Sequence, residues 1–141
     1  MAEITLSNET VQYINIASKY SNVNIIDCII EDDWIVFVVE KGHLGAAIGA
    51  KAKNLERLRA MFKKNVKFVE FDKDPKVFVV NLCKPYKVNA VNIQESNNQI
   101  IALVDIEQKE KSKLIGKAGK NINMIRKLAQ RHHPIKDVQV I

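Results

Sequence analysis

Lys113-Leu114-Ile115-Gly116-Lys117-Ala118-Gly119-Lys120-Asn121-Ile122-Asn123-Met124-Ile125-Arg126 is the stretch on which the reading of the fold turns. Gly116 and Gly119 frame Lys117 and Ala118 as a G-x-x-G turn, with apolar Leu114 and Ile115 just before it. Behind the turn, Ile122, Ile125, Leu128 and Ala129 recur at spacings of three and four, as one face of a helix would place them. Two glycines this close together let another backbone approach without a Cβ in the way. Amides at a helix start offer unpaired N–H donors and a partial positive charge to an anion, and Lys117 and Lys120 add full charges beside them. Taken alone, the segment also fits a plain glycine turn between two helices with solvated lysines.

A second copy weighs against that plainer reading. Sixty-seven residues earlier, Ile48-Gly49-Ala50-Lys51-Ala52-Lys53-Asn54-Leu55-Glu56-Arg57-Leu58-Arg59 falls under Ile115 to Arg126. Five of the twelve positions are identical, at 48, 49, 53, 54 and 59, and Leu55 and Leu58 match isoleucines in character. A repeat of domain length, with turn and helix face in register, is not the product of two chance turns.

The charge is distributed to match. Residues 1–73 carry ten Lys/Arg and ten Asp/Glu, whereas 74–141 carry twelve and six. Within the first half, Lys51, Lys53, Arg57, Arg59, Lys63, Lys64 and Lys67 are opposed only by Glu56. From 109 to 136, nine Lys/Arg face the single Glu110. Each glycine turn therefore lies in the basic part of its own half, and polyanion binding is the expected consequence. With 47% hydrophobic residues in 141, the chain is long and apolar enough for two small cores. No apolar run would span a bilayer and no basic-then-apolar leader is seen, so a cytoplasmic protein with no membrane partner is expected. Cys28 and Cys83 lie in apolar stretches without a C-x-x-C, which reads as two buried thiols, a structural disulfide being the alternative.

Along the chain, Ser7 is the expected N-cap of a helix over 8–20, with Val11, Ile14, Ala17 and Tyr20 as its apolar stripe. Val23–Ile30 and Trp34–Val39 read as strands around a Glu31-Asp32-Asp33 turn. A short helix over Lys41–Ile48 leads into the first glycine turn, a helix over 53–64 leaves it, and Val66–Phe71 closes the unit as a strand. Asp74-Pro75 starts the second unit as an N-cap and N1 pair. Val77 to Val80 has strand propensity, yet the apolar spacing and the repeat both ask for a helix there. Lys87–Gln94 and Gln99–Glu107 follow as strands around Ser96-Asn97-Asn98. Then come a short helix over Glu110–Ile115, the turn, a helix over 120–132 and a strand over Asp137–Ile141.

Each half thus reads helix, strand, strand, helix, turn, helix, strand. That order and the I-G-x-x-G-x-x-I core resemble the type II KH domain, which clamps about four nucleotides of single-stranded nucleic acid through its G-x-x-G loop. The resemblance covers the whole chain. It implies an α+β protein of two tandem KH domains, 1–73 and 74–141, each a three-stranded sheet backed by three helices. Tandem KH domains of this length, with Asp27-Cys28-Ile29-Ile30 and Arg131-His132-His133, are similar to the archaeal NusA-like transcription factors. That implies a single-stranded RNA-binding termination, antitermination or elongation factor, a monomer with RNA polymerase as a possible partner. A ribosome-assembly or RNA-degradation adaptor, or a protein-interaction module with a disused groove, are the alternatives.

The resemblance also implies the site. Gly116, Lys117, Ala118 and Gly119 would meet phosphates by their amides, with Lys117 and Lys120 as counter-charges. Ile115 and Ile122 would floor the groove, and Asn121 and Arg126 would make outer contacts. Core packing of both isoleucines and a solvated Arg126 are the structural alternatives. Gly49, Ala50, Lys51, Ala52, Lys53, Asn54 and Arg57 are the first-unit counterparts. There the second glycine is replaced by Ala52, which suits a helical conformation but is penalised if φ is positive. The second domain is therefore expected to supply most of the affinity. Aromatic stacking is not the expected mode, because no ring-bearing strand signature is present and Trp34, Phe37, Phe68 and Phe71 read as core. Neither turn is a Walker loop and no nucleophile–base pattern appears, so neither an enzyme, a cofactor nor a metal is expected. His132 and His133, as neighbours on one helix, should point different ways.

Overall fold

A computed structural model describes residues 7–31 and 33–141. Residues 1–6 and Asp32, at the predicted hairpin turn, lie outside the described residues. The chain forms two compact units, one ending at Phe71 and the other starting at Asp72. Asp72 and Lys73, assigned above to the first unit, go with the second. Phe71 N donates to Val39 O at 2.8 Å in the first unit, whereas the Asp72 carbonyl accepts from His133 Nε2 at 2.9 Å in the second.

In the first unit, Ser7 caps α1 (Asn8–Ser21), its Oγ accepting from Thr10 N at 3.2 Å. The buried line of α1 is Thr10, Ala17 and Ser21, with Tyr13, Ile14 and Ile16 packed against the core. The expected stripe was misplaced at both ends, since Val11 and Tyr20 are exposed. Two hydroxyl residues replace them inside because each satisfies itself locally. Thr10 Oγ1 donates to Ser7 O at 2.8 Å and Ser21 Oγ to Ala17 O at 2.6 Å. Strands β1 (Ile25–Glu31) and β2 (Trp34–Val39) pair antiparallel. Strand β3 (Asn65–Glu70) lies parallel to β2 on its other side. Parallel neighbours need a crossover, and α2 (Leu44–Ile48) and α3 (Lys53–Phe62) supply it with the first glycine turn between them. Ile35, Phe37 and Val39 alternate along β2 into a core shared with Ala17, Ala47, Leu58 and Phe68. Burying a Phe or Leu fully stabilises by about 1.5–3 kcal/mol, so this layer holds the crossover helices to the sheet. Trp34 is not core as expected. It opens β2 with the opposite parity to Ile35 and is 42% exposed.

The second unit repeats the order. Asp74 caps α4 (Pro75–Cys83), its Oδ1 accepting from Lys76 N at 2.9 Å. The valine-rich segment is helical because Phe78, Val79, Leu82 and Cys83 are buried by it, and packing outweighs strand propensity. Strands β4 (Ala90–Ser96) and β5 (Gln99–Asp105) pair antiparallel. Strand β4 starts three residues later than predicted, after a turn closed by Tyr86 N to Cys83 O at 3.0 Å. Helices α5 (Gln108–Ile115) and α6 (Lys120–His132) cross over to β6 (Asp137–Val140), parallel to β5. The sheet order is therefore β4-β5-β6, as it is β1-β2-β3 in the first unit. His132 and His133 do not diverge. The helix ends between them, His133 is extended, and both rings approach Phe78, at 5.6 and 5.3 Å between centroids. Cys28 and Cys83 are buried and not joined in a disulfide.

Candidate nucleic-acid interface

In both units the glycine turn joins the two crossover helices, so its position follows from the sheet topology. Buried Leu114 anchors the last turn of α5, and Gly116 N donates to Ser112 O at 3.0 Å to end it. Gly116 then swings to φ 81°, ψ 170°, a region essentially restricted to glycine. A Cβ there would lie 2.9 Å from Asn121 Cβ and 3.0 Å from Asn121 N. Ala118 (φ 56°, ψ 25°) and Gly119 (φ 73°, ψ 15°) are both left-handed, and Lys120 begins α6. The turn is closed by Gly119 N to Gly116 O at 3.1 Å. Among the described residues, no hydrogen bond takes up the amides of Lys117 or Ala118. Both residues are exposed, as is the Lys120 side chain. Two open amides, exposed Lys117 and Lys120 in the same segment, and the helix N-terminus that follows are all groups that attract an anion.

The first loop has the same backbone. Gly49 stands at φ 82°, ψ 167°, Lys51 at φ 52°, ψ 33° and Ala52 at φ 58°, ψ 28°. Ala52 N donates to Gly49 O at 3.1 Å, and again no described hydrogen bond takes up the amides of Ala50 and Lys51. Ala52 is therefore in the penalised conformation and not a helical one. At the equivalent Gly119 a built Cβ would find its nearest neighbours at 3.9 Å, so that position of the second loop, unlike Gly116, has room for a methyl. Gly49, by contrast, is as confined as Gly116, with Asn54 Nδ2 2.9 Å from where its Cβ would be. The first glycine is a steric requirement and the second only a conformational preference. Lys51 and Lys53 are exposed beside this loop.

Other expected contacts are engaged in the fold. Asn121 Nδ2 donates to Leu114 O at 2.7 Å and Asn54 Nδ2 to Ala46 O at 3.2 Å, each tying the helix after the loop to the one before it. Arg126 Nε donates to Val138 O at 3.0 Å and pairs with Asp137 Oδ1 at 3.0 Å, so it fastens α6 to β6. Arg59 fastens α3 to β3 in the same way, through Nη2 to Val66 O at 3.3 Å. Arg126 is thus neither a free outer contact nor a merely solvated residue. Ile122 is buried at 4% and belongs to the core, whereas Ile115 is 37% exposed at the loop's entrance. Arg57 is exposed and lies over the ring of Tyr20, 5.6 Å from Cζ to centroid. Tyr20, expected in the apolar stripe of α1 from its spacing, is at the surface beside Arg57, a contact between α1 and α3 that no sequence pattern signals.

Two sequence profiles cover the chain, a KH domain over residues 12–80 and a NusA-like second KH domain over 75–139. A "Probable transcription termination protein NusA" from Methanocaldococcus jannaschii is 30% identical over the whole chain and 77% of its own length. The chain belongs to the archaeal NusA-like KH proteins. A Halobacterium salinarum protein of the same description is 34% identical over 97% of the NusA-like chain and 98% of its own. The crystal structure of APE1850 matches with a TM-score of 0.77 and 26% identity, over 96% of this chain and all of that one. Among the described residues, no helix is long and apolar enough to cross a membrane, and no three His, Cys, Asp or Glu are grouped to hold a metal ion.

Proposed function

We propose that this NusA-like protein binds single-stranded RNA through its two glycine loops and acts in transcription termination, antitermination or elongation. The observation that carries the reading is the second loop, where the amides of Lys117 and Ala118 stand open in a segment with exposed Lys117 and Lys120 at the start of α6. Gly116 to Gly119 hold phosphates there, and Ile115 offers an apolar edge to a base. The first loop, Gly49-Ala50-Lys51-Ala52 with Lys53, keeps the same frame and adds length and register to the contact. That retained frame weighs against a disused groove, the alternative for which Ala52 is the best argument. A role in transcription is supported by the description that the curated relatives share, and RNA polymerase is the partner machinery that this reading implies. The protein acts as a cytoplasmic monomer and a binding factor, not as an enzyme.

The test is binding of single-stranded RNA at two salt concentrations by the wild type and by a Lys117→Asp/Ala118→Asp variant. Both positions are exposed and aspartate tolerates the left-handed conformation at 118, so the fold should stand. Affinity should fall at least about tenfold, and wild-type binding should weaken steeply with salt. Equal binding by the two proteins would remove the second loop from the site.

A further inference from the structure

The first unit carries a surface feature that the second lacks. Tyr20, in the last turn of α1, is 38% exposed, and Arg57 lies over its ring. Glu56, next to Arg57 in sequence, is paired with Arg59 at 3.0 Å, and among the described residues no carboxylate pairs with Arg57. Lys53 precedes Arg57 by one turn on the same face of α3 and directly follows the loop. Exposed Lys51, Lys53 and Arg57 therefore form a track of cations leading from the first loop to an aromatic ring. In the second unit the repeat places Met124 where Arg57 stands, and Met124 is 4% exposed. The feature is thus specific to the unit whose loop has the weaker motif.

We propose that Tyr20 and Arg57 form a nucleotide-binding ledge, which takes one further base and phosphate of the single strand leaving the first loop. The inference rests on the RNA-binding reading above. The part of the phenol ring that Arg57 leaves uncovered offers a base a stacking surface whatever the base identity. The Arg57 guanidinium lies over the ring, 5.6 Å from Cζ to centroid, which places a cation for the phosphate beside the surface for the base. If the contact only fastens α1 to α3, replacing either residue will change stability but not RNA affinity.

Tyr20→Leu removes the ring while keeping apolar packing, Tyr20→Phe keeps the ring, and Arg57→Gln removes the charge. Each full-length variant is titrated with oligouridine of about twelve nucleotides, enough for both loops and the strand beyond them. Thermal melting checks the fold. Tyr20→Leu should weaken binding about tenfold with the salt slope unchanged, and Tyr20→Phe should bind as the wild type does. Arg57→Gln should weaken binding and reduce the slope of log K against log salt by about 0.7, the loss of one phosphate contact on a single strand. Wild-type affinity in Tyr20→Leu overturns the ledge, whether or not Arg57→Gln is impaired. If the wild type itself does not bind oligouridine or mixed-sequence RNA, the RNA-binding reading falls, and the ledge with it. If the wild type binds and the Lys117→Asp/Ala118→Asp variant does not, while all three ledge variants bind normally, only the ledge fails.

Discussion

The two glycines of the loop are held to different standards. At Gly116 a side chain would meet both an essentially glycine-only backbone and an asparagine within 3 Å. Gly116→Ala should therefore cost about 2–4 kcal/mol, from strain and overpacking together, and should lower RNA affinity by distorting the loop. Gly119→Ala meets only the left-handed penalty, about 1 kcal/mol, and should leave affinity within a few-fold of wild type. The reverse change, Ala52→Gly, should stabilise the protein by about 0.5–1 kcal/mol as that penalty is relieved. Chemical denaturation of the three variants checks the order. A Gly119→Ala variant less stable than Gly116→Ala would contradict it.

The second crossover helix of each unit, α3 or α6, is fastened to its closing strand by one arginine, with unequal quality. Arg126 uses Nε on both a carbonyl and a carboxylate, whereas Nε of Arg59 is buried without a hydrogen-bond partner. Arg126→Met should cost about 1–2 kcal/mol, more than Arg59→Met, and both should leave the salt dependence of RNA binding unchanged. A reduced salt slope for Arg126→Met would return that residue to the phosphate contacts. The elements themselves were largely legible in the sequence. Caps at Ser7 and Asp74, glycine at the turns and β-branched runs in the strands are local signals, and the repeat settled the one segment, α4, where propensity pointed to a strand. What was not legible depended on partners distant in sequence. Nothing in the α1 stripe reveals that Thr10 and Ser21 satisfy their own hydroxyls and go inside while Val11 and Tyr20 stay out. Likewise the roles of Asn54, Asn121 and Arg126 depend on carbonyls of other elements, so residue type and position suggested ligand contacts where the fold uses them itself.

For the molecule as a whole, the prediction concerns the balance between the two units. Both loops share a backbone, but the second unit carries the whole net charge, +6. In the full-length protein, Lys117→Asp/Ala118→Asp should therefore reduce RNA affinity more than Ala50→Asp/Lys51→Asp at low salt. The gap should narrow as salt rises and long-range attraction is screened. Equal losses at every salt concentration would mean that loop geometry, and not surrounding charge, sets each unit's share.

The fit of Gly49 against Asn54 and of Gly116 against Asn121 bears on how such loops are found in other chains. A search that insists on glycine at both ends of the turn misses the first loop here, although its backbone is intact. The invariant of this repeat is a glycine followed five positions later by asparagine, because the asparagine fills the space that the missing Cβ leaves and ties the flanking helices together. Spelled as G-x-x-x-x-N between two short apolar runs, the motif recovers both loops. Degenerate KH loops that keep this pair should be expected to keep the loop's backbone as well.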